Sequence, residues 1–180
     1  TLKDTRLVEL ILQESTKVIR HRKGVLVVQN HHGVILANAG IDRSNLEQDK
    51  EQDWVLLLPK DSDLSAKKIH QELFSKTGVH LGVIINDSIG RAWRNGTLGT
   101  AIGVAGIPSI IDLRGRKDLF GNPLRVSEEA IADELASAAS LLQGQADEAL
   151  PVVLIRGFQK QTPSIPASGL IRPKETDLFQ

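Results

Sequence analysis

The sequence has 180 residues, with 22 Lys and Arg against 22 Asp and Glu, and it contains no cysteine. This length suffices for one domain with a buried core, and the balanced charge disfavours nucleic-acid and anionic-membrane partners, which attract basic surfaces. Without cysteine, disulfides, thiolate metal sites and cysteine nucleophiles are excluded. The sequence shows no signal segment and no apolar run of about 18 residues, so we predict one cytoplasmic domain over residues 1–180.

The chain opens with the pattern of a helix followed by a hairpin. Apolar residues spaced by three and four predict an amphipathic helix over residues 5–20. Two β-branched runs, 25–28 and 34–37, flank a turn that contains glycine, as in a hairpin. Within that turn His31 and His32 are not expected to share a metal, because adjacent strand residues point to opposite faces.

The middle of the chain alternates strand and helix patterns. A short strand is predicted over residues 54–58, and a helix is predicted over 62–77 with Gly78 as its C-terminal cap. A strand is predicted next, over 79–85. The glycine-rich stretch 96–106 is predicted to be strand or irregular core, because its small residues permit close backbone approach and its glycines disfavour a helix.

A third helix is predicted near the end of the chain. Ser127 would cap it, Glu128 and Glu129 would lie in its first turn, and Gly144 would end it. The remaining predicted elements are strands over 107–113 and 151–155 and an extended arm over 159–180, which would lie on a surface or a partner.

Two polar segments follow predicted strands, and each carries an aspartate. Asp42 comes after the hairpin, and Asp87 with Ser88 comes after the strand over 79–85. Rigid strand ends that present carboxylate and hydroxyl oxygens suit Mg²⁺ or Mn²⁺. We therefore predict one shared metal site, with turn formation or helix capping as the alternative role of these aspartates.

A glycine-flanked segment with two arginines follows Asp87. Arg91 and Arg94 could pair with phosphates or carboxylates through the planar guanidinium fork, as could Arg114 and Arg116 in a later charged loop. Trp93 between the first two could stack on a planar ring. The alternatives are solvated surface arginines and a tryptophan that serves in packing.

The segment Gln143-Gly144-Gln145-Ala146-Asp147-Glu148 lies between a predicted helix and a predicted strand. Amide and carboxylate groups at such a place can line a nucleotide pocket, and a simple helix-ending loop is the alternative. The sequence has no Gly-x-x-x-x-Gly-Lys-Ser/Thr loop and no Gly-x-Gly-x-x-Gly after a strand. A nucleotide would therefore be bound in a less common way.

Four segments in order, at residues 37–45, 87–96, 111–116 and 152–157, resemble the coenzyme F420-0:L-glutamate ligase family, the gamma-glutamyl ligases of deazaflavin cofactor synthesis. The similarity continues to the end of the chain. It implies an unusual α+β ligase fold that is dimeric, with mixed and antiparallel sheets and three main helices. The family's amino-terminal segment, part of its GTP site, has no counterpart here, and with no methionine at position 1 we expect an incomplete product.

The resemblance implies a GTP-dependent ligase that adds L-glutamate to the carboxylate of coenzyme F420-0 through an acyl phosphate. It implies Mg²⁺ or Mn²⁺ as the divalent cation and K⁺ as a further candidate cation. The residues that match the family's metal ligands are Asp42, Asp87, Ser88 and Gln145. The alternatives are the same chemistry on a different carboxylate acceptor and a non-catalytic binding or dimerising fragment.

The remaining site predictions follow from the same resemblance. Asn45 matches a GTP contact, and the segment 143–148 matches the second nucleotide segment. Asp87, Arg91 and Arg94 are predicted to be catalytic, with the arginines holding acidic substrates. Near Asp87 the sequence departs from the family's commoner Thr-Asp-Thr-Phe at Asn86, Ser88 and Ile89, and Ser88 keeps the hydroxyl of the threonine that it replaces.

Overall fold

The computed structural model describes residues 3–47, 53–158 and 163–178. Over these residues there are three α-helices, α1 (Thr5–Gln13), α2 (Ser62–Thr77) and α3 (Ile131–Gln143). The strands are β1 (Ser15–Arg22), β2 (Val25–Asn30), β3 (Ile35–Ala37), β4 (Val83–Arg91), β5 (Arg94–Ala105), β6 (Ile111–Asp112) and β7 (Glu128–Glu129). They pair antiparallel as β1-β2-β3, β4-β5 and β6-β7. The predicted α+β class with antiparallel sheets and three main helices is confirmed.

Strand β5 lies at the centre of the larger core, where α2 and α3 pack on it. A Cβ atom at Gly99 would lie 2.5 Å from the carbonyl oxygen of Ala136 on α3, and one at Gly103 would collide with the backbone of Ser62 on α2. Real Cβ atoms do not approach so closely, so glycine at both positions is what lets the helices reach the strand. The predicted close backbone approach in this stretch is confirmed.

Two half-buried carboxylates accept N–H groups on the edge of β5 that does not pair with β4. Asp63 on α2 accepts the backbone N–H groups of Val104 and Ala167, each at 2.8 Å. Asp133 on α3 accepts the N–H of Ala101 at 2.9 Å. Burial raises the pKa of Asp133, although this hydrogen bond opposes the change. The first turns of both helices are thereby tied to the strand and, through Ala167, to the tail.

The described part of the tail lies on the body of the same chain. Ile165 accepts the N–H of Ser109 at 3.0 Å and donates its own N–H to the carbonyl of Ile107 at 3.2 Å. Ala167 and Leu170 pack in the core around β5. Residues 163–178 therefore behave as the predicted arm on a surface, whereas residues 159–162 and 179–180 of that prediction lie outside the described part.

A smaller core lies under the three-stranded sheet. In this part of the chain, the helix predicted over residues 5–20 was predicted too long. The helix ends at Gln13, and the following residues, Ser15–Arg22, form β1. Val18 pairs with Val28 across the ladder, because β-branched residues fit a strand and β2 offers backbone partners. The predicted hairpin is confirmed as β2 and β3.

Several strand predictions were wrong in length. Over residues 54–58 the structure has only an isolated bridge between Asp42 and Leu56, over 107–113 only Ile111–Asp112 is strand, and residues 151–155 form no strand with the described chain. The strand predicted to end before Asp87 instead runs from Val83 to Arg91.

The start of the third helix was also predicted wrongly. Glu128 and Glu129 form β7 opposite Ile111–Asp112, so Ser127 caps no helix. Helix α3 begins at Ile131 without a side-chain cap, and it ends before Gly144 as predicted. Within the described ranges, no helix combines the length and apolar character needed to cross a membrane.

Candidate functional site

Asp87 and Ser88 lie in the middle of β4, not at its end. Side chains alternate between the two faces of a strand, and Ile85 and Ile89 pack with Leu36 of β3 in one apolar cluster. Asp87 lies between them in sequence and shares this face. Ser88 belongs to the opposite face, toward the end of α3.

A tight turn carries the chain from β3 to Asp42. Asn38, Ala39 and Gly40 all have positive φ, at 53°, 58° and 74°. A Cβ on Gly40 would lie 2.6 Å from Leu58 Cδ1, so this position requires glycine. Backbone hydrogen bonds with Leu56, at 2.8 and 3.1 Å, then fix the main chain of Asp42.

The Asp42 carboxylate is held by the residues that follow it. Its two oxygens accept the backbone N–H of Ser44 at 2.8 Å and the Ser44 hydroxyl at 2.7 Å. Partial burial raises the pKa of Asp42, but these hydrogen bonds and one from the Arg43 N–H bring it below its usual value. Asp42 is therefore the more readily ionised of the two aspartates.

The Asp42 carboxylate is one of the groups that set the pKa of Asp87. Burial raises the pKa of Asp87, the Ser88 N–H bonded at 2.7 Å lowers it, and the Asp42 carboxylate raises it further. Among the described residues, neither aspartate forms an ion pair. A cation bound between them would relieve this repulsion.

The loop after α3 meets both aspartate segments. Gln145 Nε2 donates to the Ser88 hydroxyl at 2.7 Å. Asn45 Nδ2 donates to the carbonyl of Ala146 at 3.0 Å, over a sequence separation of 101 residues. The three segments that were predicted separately therefore converge in the fold.

Further contacts fix this loop on β4. Asn86 Nδ2 donates to Gln143 Oε1 at 2.9 Å, which joins the end of α3 to the strand. Glu148 folds back and accepts the N–H of Ala146 at 2.9 Å, and this bond lowers its pKa. Its carboxylate lies where a Cβ of Gly144 would stand, and the φ of 72° and ψ of −169° at Gly144 belong to a backbone region that is essentially restricted to glycine.

The donor groups fall into two pairs, Asp42 with Asp87 and Ser88 with Gln145. All are oxygen donors or carry one, which is the ligand type that Mg²⁺ and Mn²⁺ prefer. In the described part of the chain, no group of three or more His, Asp or Glu side chains could hold a metal. A cation site here therefore needs hydroxyl, amide or substrate oxygens besides the two carboxylates.

The predicted arginines lie away from these donors. Arg91 and Arg94 face each other at the tip of the β4–β5 hairpin, about 13 Å along the strand from Asp87 at roughly 3.3 Å per residue. Arg114 is engaged in its own loop, where it binds Asp112 at 2.6 Å and holds the pKa of that carboxyl at about 2.

A cavity of about 1020 Å³ lies one strand away from the donors. Its wall includes Thr100, which pairs with Asp87 across the β4–β5 ladder. Basic residues at its wall are Lys60, Arg172 and Lys174. The cavity has the size of a small-molecule site, and its wall is of mixed charge, because it also includes Asp61, Asp63, Asp133 and Asp177. His31 and His32, predicted turn residues, also line it, and they bond to different carbonyls.

Comparison with known proteins decides the family. The sequence model described as F420-0:Gamma-glutamyl ligase matches residues 1–157. The chain belongs to this family. The resemblance drawn from the motifs is thereby confirmed.

Relatives in the F420-0:gamma-glutamyl ligase family match across the whole chain. The coenzyme F420:L-glutamate ligase of Methanocaldococcus jannaschii is 44% identical over 180 residues, which cover 100% of this chain and 70% of the relative. Those of Methanothermobacter thermautotrophicus and Methanopyrus kandleri are 45% and 39% identical, each over 100% of this chain and 71% of the relative.

Sequence reasoning missed three residues around the site. Asn86 was noted only as part of a departure from the family motif, yet it anchors α3 on β4. Asp63 and Asp133 resembled ordinary acidic residues of a helix first turn, and the strand N–H groups that they accept lie 32 or more residues away in sequence. No local pattern could have indicated these contacts.

Proposed function

We propose that this protein is a GTP- and divalent-cation-dependent ligase that adds L-glutamate to the carboxylate of coenzyme F420-0. The family and the names of its relatives suggest the reaction and its substrates. The observation that carries the proposal for this chain is the convergence of Asp42, Asp87 and the loop at Gln145 around β4.

Asp42 and Asp87 would hold one Mg²⁺ or Mn²⁺ ion. On the other face of β4, the Ser88 hydroxyl and the Gln145 side-chain amide would supply oxygen ligands for a cation. The two carboxylates repel each other, and neither pairs with a described cationic side chain. When bound, the cation would offset negative charge on the phosphate oxygens of the nucleotide.

The reaction needs two transfers because a carboxylate is a poor electrophile. An oxygen of the acceptor carboxylate attacks the γ-phosphorus of GTP, the bond to the β-phosphate oxygen breaks, and GDP leaves. The amino group of glutamate then attacks the carbonyl carbon of the acyl phosphate, loses a proton and expels phosphate. The products are an amide, GDP and phosphate, so every atom is accounted for.

The segment from Gln143 to Glu148 would contact the nucleotide together with Asn45. The amide of Asn45 already bonds to Ala146, and the Glu148 carboxylate bonds to the same residue. These contacts hold the loop beside the aspartates before any ligand binds. The chain thereby presents backbone and amide groups in a fixed geometry, which lowers the cost of binding.

We propose that the protein acts as a homodimer, as the family resemblance implies. Large apolar side chains are exposed at the end of α3 and just after the nucleotide loop, among them Leu141 at 85% and Val152 at 84%. The Gln143 side chain bonds to the Pro151 carbonyl at 3.3 Å and so links the two segments. An apolar surface of this kind is typical of a subunit interface.

The test is the complete reaction with wild type and Asp87→Asn. Protein, GTP, Mn²⁺, L-glutamate and F420-0 are incubated, and GDP and the glutamyl adduct are measured by mass spectrometry. We expect both products from wild type and a loss of about a thousandfold in the variant, because a metal ion contributes several kcal/mol to such a transition state.

The products distinguish the proposal from its alternatives. GDP without the adduct would indicate a different carboxylate acceptor, and neither product would indicate a binding or dimerising role. An adduct formed at the wild-type rate by Asp87→Asn would remove Asp87 from the site. Glu72→Gln, on the exposed face of α2, serves as the matched control and should retain full activity.

A further inference from the structure

The tip of the β4–β5 hairpin combines features that disfavour folding. Trp93 has a φ of 58°, in the left-handed region that bulky residues avoid. Its side chain is 83% exposed. Arg91 and Arg94 lie directly opposite each other in the ladder, where like charges repel.

Glycine or asparagine would suit this turn better than tryptophan, since both adopt positive φ readily. Several unfavourable local features at one exposed place, here a strained backbone and paired like charges, are typical of a functional site. Arg91 Nη1 donates to the carbonyl of Gly96, whose φ of 85° belongs to the bulge that shapes the hairpin end.

The charges at the tip identify the kind of ligand. Neither Arg91 nor Arg94 forms an ion pair with a described carboxylate. A bound anion would relieve their mutual repulsion. An indole that lies between two arginines in the sequence suits a planar aromatic ring that carries an anionic side chain.

We propose that Trp93 is the platform on which the planar ring of the acceptor stacks, with Arg91 and Arg94 binding the anionic side chain. This inference rests on the proposed function, in which the acceptor is a deazaflavin with a carboxylate at the end of its side chain. The distance from the tip to Asp87 then sets the length of acceptor that fits. The ring lies at the tip, and the carboxylate extends toward Asp87, about 13 Å along the strand.

The first experiment measures binding without turnover. The only two tryptophans are Trp54 and Trp93, so Trp54→Phe leaves Trp93 as the single indole emitter. We expect F420-0, added without GTP or glutamate, to quench its fluorescence in a saturable way. In Trp93→Phe, which retains Trp54, quenching at the same concentration should be far weaker. Equal quenching of both variants would overturn the platform.

The second experiment measures steady-state kinetics. Trp93→Gly and Trp93→Asn should raise the KM for F420-0 about tenfold or more, the scale of losing one stacking contact. The KM values for GTP and glutamate should stay unchanged, and Trp93→Phe should restore part of the loss. The melting temperature should not fall, because both replacements tolerate positive φ. Trp54→Phe is the matched control.

The outcomes separate the platform from the ligase proposal. If wild type forms the adduct and Trp93→Gly has an unchanged KM for F420-0, the platform is wrong and the function stands. If wild type forms no adduct but F420-0 quenches Trp93 specifically, the function is wrong and the platform stands. If Trp93→Gly weakens dimerisation with no change in that KM, the tip is a subunit contact and the platform is overturned.

Discussion

At the scale of single residues, the surroundings of Asp87 disfavour its ionised form, and a bound cation would stabilise that form. Burial and the Asp42 charge raise the pKa of Asp87, so the folded protein takes up this proton more readily than the unfolded chain. The resulting stability is greatest below the unfolded pKa near 4 and is lost as the pH rises through the folded pKa. At pH 7 the ionised group therefore opposes folding.

Asp87→Asn should consequently be more stable than wild type when divalent cations are chelated. At pH 7 we expect its melting temperature to be higher by about 2 °C or more, the scale of a small change in unfolding free energy for a chain of this length. The difference should vanish as the pH falls toward 4. Added Mn²⁺ should stabilise wild type and not the variant.

Calorimetric melting from pH 4 to 8 measures this effect, with Glu72→Gln as a surface control. A variant less stable than wild type at pH 7 without metal would show that Asp87 supports the fold by its charge. Such a result would contradict the account of two repelling carboxylates.

Replacing Gln145 tests whether the face of β4 that carries Ser88 contributes to the reaction. Gln145→Ala removes both the hydrogen bond to Ser88 and an oxygen donor, so we expect GTP turnover to fall about 10- to 100-fold, the scale of lost metal-site support. The melting temperature should change little because Gln145 is exposed. The control is Gln71→Ala on the exposed face of α2, and equal turnover by both variants would argue against a role for Gln145.

From the sequence, the candidate ligand residues could be predicted more readily than their positions in strands and loops. Asp42, Asp87 and Gln145 were identified from residue type and family motif. The middle-of-strand position of Asp87 was not, because β4 continues only where β5 supplies backbone partners. That partner is a glycine-rich stretch whose strand character depends on two helices packing against it.

At the scale of elements, the first turns of α2 and α3 act as clamps on β5. Asp63 accepts N–H groups from Val104, Ala167 and Ser168 and so joins a helix, a strand and the tail. Losing a hydrogen bond to a charged group costs about 1.5–3 kcal/mol of unfolding free energy when the donor is left without a partner.

Asp63→Ala should therefore destabilise the protein by about 3 kcal/mol in urea unfolding. Glu72→Ala on the same helix should change stability by no more than about 0.5 kcal/mol. Equal stability of the two variants would mean that solvent replaces the lost acceptor. In that case the clamp would not hold the tail on the core.

The wrong element boundaries have the same physical origin. The apolar spacing over residues 5–20 fits a helix, yet β2 offers a ladder to Ser15–Arg22, and tertiary pairing outweighs local propensity. Glu128 and Glu129 have the character of a helix first turn but pair with Ile111–Asp112. Elements bounded by their own caps, such as α2 with Asp61 and Gly78, were predicted correctly.

At the scale of the whole molecule, we expect the exposed apolar surface after residues 143–148 to form the dimer interface. Val152→Asp should convert the dimer to a monomer in light scattering coupled to size exclusion, because a buried unpaired carboxylate is costly. Val126→Asp is the matched control, since Val126 is 85% exposed on a different segment. A dimer that persists in Val152→Asp would place the interface elsewhere.

The account as a whole depends on Asp42 and Asp87 binding one divalent cation. Electron paramagnetic resonance of free Mn²⁺, titrated with protein in the presence of GTP, measures this directly. We predict that wild type binds Mn²⁺ and that Asp42→Asn and Asp87→Asn each weaken binding at least about tenfold, by loss of a charged ligand. Binding by both variants as tight as that of wild type would contradict the shared cation site.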